Sequence, residues 1–148
     1  MNTLIDRLLS TAKTIAIVGL SNKPERDSLK VAHYLQEHGY RVLAVNPMLA
    51  GTEIAGEVCY PSLLAAQHAT GLEIDIVDCF RKAEDIPSIV DEAIAVKAKA
   101  LWMQLEIVNE DAAQTARSAG LDVVMDRCTK IEHKRWLAEQ GDEPKLLT

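Results

Sequence analysis

The feature that most constrains this chain is a recurring pair: a short, largely apolar run, then a segment of helical period. The runs are Thr14 to Leu20 (TIAIVGL), Arg41 to Val45 (RVLAV), Ile74 to Phe80 (IDIVDCF), Ala100 to Leu105 (ALWMQL) and Leu121 to Met125 (LDVVM). A strand that is apolar on both faces must be covered on both faces, which is the condition of a parallel sheet flanked by crossover helices. The expected fold is therefore α/β, a Rossmann-like doubly wound parallel sheet with helices on both faces.

The intervening segments read as helices. Ser28 to His38 carries Val31, Ala32 and Leu35 on one stripe, with Asp27 or Ser28 as N-cap and Gly39 as stop. Glu84 to Val96 and Asn109 to Ala119 follow, the latter with Asn109 as N-cap, Glu110 and Asp111 in the first turn, and Gly120 beyond its end. Thr129 to Gln140 forms a terminal helix with Ile131 and Leu137 available for packing, and the tail GDEPKLLT is expected to fray. Met48 to Tyr60, with Gly51 and Gly56, is a loop with room for a short strand, and Pro61 starts a brief helix through Gln67.

At the start, Leu4, Ile5, Leu8 and Leu9 fall at helical spacing but are interrupted by Asp6 and Arg7. That predicts a short amphipathic helix, with neither a signal peptide nor a membrane span. The 148 residues suit one domain, 1–148, and 48% hydrophobic with 26% charged residues excludes disordered and low-complexity classes. A formal charge of −6 and a pI near 5.2 argue against a general grip on nucleic acid or an anionic membrane, so any anion must be held by a local cluster. Three cysteines without a CxxC pair suit a reducing compartment and hold no zinc pattern, so a cytoplasmic location and no metal are expected.

In such sheets ligands lie beyond the carboxyl ends of strands at the switch point, which directs attention to the loops after Leu20, Val45, Phe80 and Leu105. The first loop, Gly19 to Ser28, runs from a strand to a helix N-terminus, where unbonded N–H groups favour phosphate, and Lys23 and Arg26 add charge. A dinucleotide fingerprint needs G-x-G-x-x-G here, yet only Gly19 is present, with Ser21 and Pro24 at the other glycine positions. The second strand ends in Asn46-Pro47 rather than the carboxylate that would bond a ribose 2′-OH, and Asn46 would not repel a phosphorylated ribose. Phe80-Arg81 pairs a flat ring with a guanidinium that can fork onto phosphate. Trp102 and Gln104 alternate along one strand and so face one side, suited to flank an amide-containing arm.

These stretches together, IAIVGLSNKPERDS, VAHYLQEHGYRVLAVNP, VDCFR, ALWMQL and VVMDRC followed by Glu132-His133, resemble the small stand-alone CoA-binding proteins. That family is similar to the CoA-binding domain of succinyl-CoA synthetase α subunits and related acyl-CoA ligases, and the resemblance spans about Thr14 to Trp136. It implies that Gly19, Ser21, Asn22, Lys23, Arg26 and Ser28 cradle the phosphates, that Asn46 and Pro47 border ribose and adenine, and that Phe80, Arg81, Trp102 and Gln104 line the pantetheine path. The chain departs from the pattern at Glu106, where the family usually has Gly, and at Leu29, where an aromatic is common; Glu106 is expected to narrow the arm channel or repel an anion.

Simpler roles stand beside these. Arg81 can pair with Glu84 or Asp85, and Trp102 and Phe80 serve equally well as core. His33, His38 and His68 have no metal-ligating partner at an informative spacing, and His133 lies beyond the last strand. With strand order 3-2-1-4-5-6, Asp126-Arg127-Cys128 emerges at the sheet edge, away from the switch point, as a structural motif such as a buried ion pair or an interface. Cys79 is either a buried small hydrophobe or a thiol near a ligand's thiol, able to form a mixed disulfide with CoA.

No set of residues assigns nucleophile, base and orienter together, so no catalytic residue is expected. The sequence points to a CoA or acyl-CoA binder, with a homodimer or another protein partner left open. Two alternatives stay open: the CoA-binding component of an acyl-CoA ligase-type enzyme, and an NAD(P)-binding oxidoreductase.

Overall fold

The computed structural model describes the backbone of residues 2–146 and the side chains of residues 2–141. Its centre is β1 (Thr14–Val18), buried at every position, as a predominantly apolar run in a parallel sheet should be. β1 pairs in parallel with β2 (Arg41–Val45) on one side and with a later strand, Ile76–Cys79, on the other. In chain order the remaining strands are β3 (Glu53–Ile54), β4 (Glu57–Tyr60), β5 (Ile76–Cys79), β6 (Ala100–Met103) and β7 (Asp122–Val124). The sheet order is β3-β4-β2-β1-β5-β6-β7, and every pairing is parallel except that of the edge strand β3 with β4. The expected α/β Rossmann-like sheet is thus present, and the order in which strands are added reverses between β1 and β5.

Alternation along the strands assigns the helices to two layers. Ala16, Val18, Val77, Leu101 and Met103 pack with residues of α3 (Leu63–Thr70), α4 (Ile86–Ala95) and α5 (Glu110–Ser118). Ile15, Ile17, Ile76 and Trp102 pack on the other face with α1 (Thr3–Thr11), α2 (Asp27–Glu37) and α6 (Thr129–Leu146). The amphipathic reading of the first helix holds: Ile5, Leu8 and Leu9 are buried, and Asn2 caps it by accepting from the Ile5 N–H at 3.1 Å.

Several boundaries differ from expectation for identifiable reasons. Neither Asp27 nor Ser28 caps α2; the cap is Arg26, without a side-chain bond, because the Ser28 hydroxyl accepts instead from the Ser21 N–H at 3.0 Å. The helix expected from Pro61 begins at Leu63, capped by the Ser62 hydroxyl, and runs on to Thr70. The loop after β2 holds a 3-10 turn (Pro47–Leu49) and the β3–β4 hairpin. Asn109 caps α5 as expected. Ile131 and Leu137, expected to pack, are 54% and 41% exposed; α6 buries Thr129 and His133 instead. The tail expected to fray is helical in backbone as far as Leu146, and its last residues, Leu147 and Thr148, lie outside the described ones.

α6 is tied to the body at two levels. Arg135 bonds Asp6 on α1 at 2.6 Å, as well as Glu132 and Glu139 on its own helix. Beneath it, His133 Nδ1 lies 2.8 Å from the Tyr34 hydroxyl, ringed by Tyr34, His38, Tyr40 and Trp136. Burial, then the neighbouring His38, pushes the His133 imidazole below its ordinary value.

Candidate functional site at the carboxyl ends of β1 and β5

The switch point is built by a backbone approach that only glycine allows. Gly19, at φ +90°, donates its N–H to Val45 O at 2.8 Å, and a Cβ there would lie 2.5 Å from Phe80 O and 2.8 Å from Arg81 Cδ. This draws the loops after β1, β2 and β5 into contact. The loop that follows is held by its own hydroxyls: Ser28 Oγ accepts from Ser21 N, and Ser21 Oγ accepts from Lys23 N, both at 3.0 Å. Asn46 fixes the opposite side, donating from Nδ2 to Leu20 O and accepting at Oδ1 from Met48 N, again at 3.0 Å. Its amide is thus committed to shaping the loop.

Around this frame lies a cavity of about 690 Å³, within the range of ordinary small-molecule sites. It is lined by Gly19, Ser21, Asn22, Lys23, Arg26, Ser28 and Asn46, together with Met48, Leu49 and Phe80. All six residues of the expected phosphate cradle are therefore brought together. Pro47 is exposed on the 3-10 turn and lines neither cavity described here; its place beside Asn46 is taken by Met48, whose side chain is 85% exposed.

A second cavity of about 1270 Å³ shares Asp27 and Phe80 with the first. Arg81, Gln104, Leu105, Glu106 and Cys128 form much of its wall, with Lys30, Lys82, Lys130 and Lys134 around it. Arg81 lies 3.6 Å from Asp85, the weak, partly exposed pairing that the sequence allowed, which leaves its guanidinium largely uncommitted. Glu106 sits at φ +69° and donates its N–H to Asp126 Oδ1 at 2.7 Å. Among the described residues, seven Lys and Arg side chains line the two cavities against five carboxylates, in a chain with 16 basic and 22 acidic residues. The charge balance of the protein is inverted around these cavities.

Under the second cavity lies a polar cluster on which the sequence reading was silent. Asp78, fully buried on β5, accepts from Gln104 Nε2 at 2.5 Å and from Thr129 Oγ1 at 3.0 Å, and Gln104 Nε2 also lies 3.2 Å from Thr129 Oγ1. Burial pushes the Asp78 carboxyl up to about 7, against the two hydrogen bonds that favour its charge. An aspartate inside an otherwise apolar strand was the available signal, since such a group needs partners supplied from elsewhere in the fold.

This cluster and Trp102 overturn three expectations. Trp102 is core, fully buried and lining neither cavity, with its Nε1 donating to Arg127 O at 2.8 Å. The Asp126-Arg127-Cys128 segment is not remote from the switch point: Trp102 holds Arg127, Asp78 holds Thr129, and Arg127 N bonds Met103 O, so the chain turns back over the sheet and Cys128 enters the second cavity. Nor does it form a buried ion pair, as Arg127 is exposed and bonds the Asp126 carbonyl. Cys79 takes the first of its two expected roles, a small hydrophobe fully buried against the α3–α5 layer, with its thiol raised well above the usual range by burial.

Comparison with known proteins accords with this geometry. A family model described as CoA binding domain matches residues 13–134. The chain belongs to this CoA-binding domain family. It is 36% identical over 129 residues to the uncharacterized protein YneT of Bacillus subtilis (strain 168), covering 87% of this chain and 91% of that one. A solved structure, a hypothetical protein from Pyrococcus horikoshii OT3, is 41% identical with a TM-score of 0.85, covering 93% of this chain and 92% of that one. The apo dinucleotide-forming acetyl-coenzyme A synthetase 1 of Ca. Korarchaeum cryptofilum shares the fold over 75% of this chain and 25% of its own, at 20% identity and TM-score 0.61. Among the described residues, no helix is long and apolar enough to cross a membrane.

Proposed function

We propose that this chain, as one unit over 1–148, binds CoA, free or acylated, and brings no catalytic apparatus of its own. The observation that carries the reading is the inversion of charge at two cavities that share Phe80, in a protein that is otherwise acidic. Phosphates are held in the first cavity by the loop from Gly19 to Ser28, with Lys23 and Arg26 supplying charge-assisted bonds. Exposed Met48, beside Asn46, offers an apolar surface to the adenine. The pantetheine arm passes Phe80 and Arg81 into the second cavity, where Gln104 meets its amides. The partner is thus a small anionic molecule rather than nucleic acid or a membrane surface, in keeping with a cytoplasmic protein.

Calorimetry tests this directly, with CoA as ligand and NAD, NADP and ATP as controls. The expected result is binding selective for CoA, weakened about tenfold by Lys23→Ala or by Arg26→Ala, the loss of one charge-assisted hydrogen bond. No heat with CoA, or equal affinity for NADP, would overturn the reading.

A further inference from the structure

We propose that Cys128 is a thiol–disulfide exchange site for the CoA arm, an inference that rests on the reading just given. Of the three cysteines, Cys59 and Cys79 are buried and lie outside both cavities, whereas Cys128 is partly exposed and lines the second. The second cavity adjoins the phosphate loop through Phe80, so an arm that leaves the nucleotide in the first cavity brings its sulfur into the space that Cys128 faces.

An independent feature marks that space as a ligand's. Gln104 is only 5% exposed and commits its Nε2 to Asp78 and Thr129, while no described donor reaches its Oε1. No fully buried side-chain polar atom among the described residues lacks a partner, so the part of this amide still open is Oε1, and it opens on the cavity that Gln104 lines. An acceptor left without a protein donor in a nearly buried wall suits an N–H of the pantetheine amides. Cys128 shares the cavity with that acceptor, next to Thr129, whose hydroxyl is locked to Asp78. The thiol is therefore positioned by the cluster that presents the amide.

The reaction needs one co-reactant, the disulfide of CoA. The Cys128 thiolate attacks the sulfur of the bound half; the CoA–CoA disulfide bond breaks as the Cys128–CoA bond forms, and the released half leaves as a thiolate that takes up the proton Cys128 gave up. Cys128 is oxidised, one CoA is reduced, and no further oxidant is required. Under oxidising conditions the protein would hold CoA covalently, and a reductant would release it.

Reduced full-length protein is incubated with CoA disulfide or, separately, with glutathione disulfide at equal concentration, and the adduct is followed by intact mass and peptide mapping. Reduced CoA binding is measured in parallel by calorimetry. The expected result is a single CoA adduct on Cys128, forming about tenfold or more faster than the glutathione adduct because binding pre-orients the sulfur, slowed by Lys23→Ala and absent in Cys128→Ser. If CoA binds but Cys128 stays unmodified, or reacts equally with both disulfides, the exchange site is wrong and the CoA reading stands. If reduced CoA does not bind, both fall together.

Discussion

The two cavities sit side by side and share Phe80, yet they are built in different ways. The wall of the first comes mostly from one unbroken stretch, Gly19 to Ser28, closed by Asn46 and its neighbours and braced by serine hydroxyls within the same loop. The second is assembled from four separate stretches, near Asp27 to Val31, Phe80 to Asp85, Gln104 to Ile107 and Cys128 to Lys134, held in register by a buried carboxylate. A site whose geometry is local can be damaged by one backbone change. A site assembled at long range can be lost through residues that no ligand touches.

Gly19→Ala is the sharpest way to break the first. The new Cβ would meet the Phe80 carbonyl, a backbone atom with little room to move, at a φ that L residues avoid. The expected loss is about 2–5 kcal/mol of stability, from left-handed strain plus overpacking, read as a fall in denaturant midpoint, with CoA binding lost as well. A fully stable Gly19→Ala protein would show that the three loops are not held together by this approach.

Trp102→Phe addresses the second cavity from beneath. It removes the donor to Arg127 O while keeping an aromatic ring in the core, at an expected cost of about 1–3 kcal/mol for the orphaned carbonyl. Because the disturbance reaches the Arg127-Cys128 segment and not the phosphate loop, affinity for CoA should fall while affinity for its nucleotide portion alone stays unchanged. Equal losses for both ligands in calorimetry would mean that the cavities are not separable in this way.

That difference in construction also explains how much was legible beforehand. Largely apolar strands and helices bounded by Gly39, Asn109 and Gly120 announce themselves within a few residues, so the fold class and β2 were read correctly from the chain. The loop from Gly19 to Ser28 was legible as a candidate site for the same reason, since strand, glycine, cations and helix start are contiguous. Trp102 was ambiguous because alternation places it on a face without saying whether a helix or a ligand covers that face. Asp126-Arg127-Cys128 was misplaced because strand order locates β7 at the edge but says nothing of the path that follows, which is set by the Trp102 and Asp78 hydrogen bonds. Ser28 was taken for a cap because a local rule predicts one, whereas its hydroxyl bonds seven residues back.

The buried carboxylate should also leave a signature in pH. Asp78 rises from the ordinary 3.8 to about 7 in the fold, so between those values the folded protein keeps a proton that the unfolded chain has released. Stability from this group therefore falls as pH rises through that window and levels off above it. Asp75 and His133 are both shifted downward and both contribute in the sense opposite to Asp78, so the contribution of Asp78 is read as the difference between wild type and Asp78→Asn. Asparagine can still accept from Gln104 and donate to the Thr129 hydroxyl. Denaturant titrations from pH 4 to 7 should show the wild type losing stability relative to the variant; parallel curves would mean that Asp78 titrates as an ordinary carboxylate.

The smallest expected effect lies at the rim of the second cavity, where Glu106 occupies a left-handed conformation and adds a fourth carboxylate to a wall with five Lys and Arg side chains. Its backbone N–H bond to Asp126 needs no side chain at 106, so Glu106→Gly keeps that tie while relieving the strain. The gain from the favoured φ exceeds the added chain entropy of glycine by roughly 0.5–1 kcal/mol at most. Removing an exposed charge should tighten CoA by about two- to fivefold at low salt, with the difference shrinking as salt rises, because screening acts on exposed charges first. The first cavity lies apart from Glu106, so the nucleotide portion alone should bind as before. If Glu106→Gly instead weakens CoA at every salt concentration, the carboxylate is a ligand contact, and the second cavity selects for something on the arm beyond its amides.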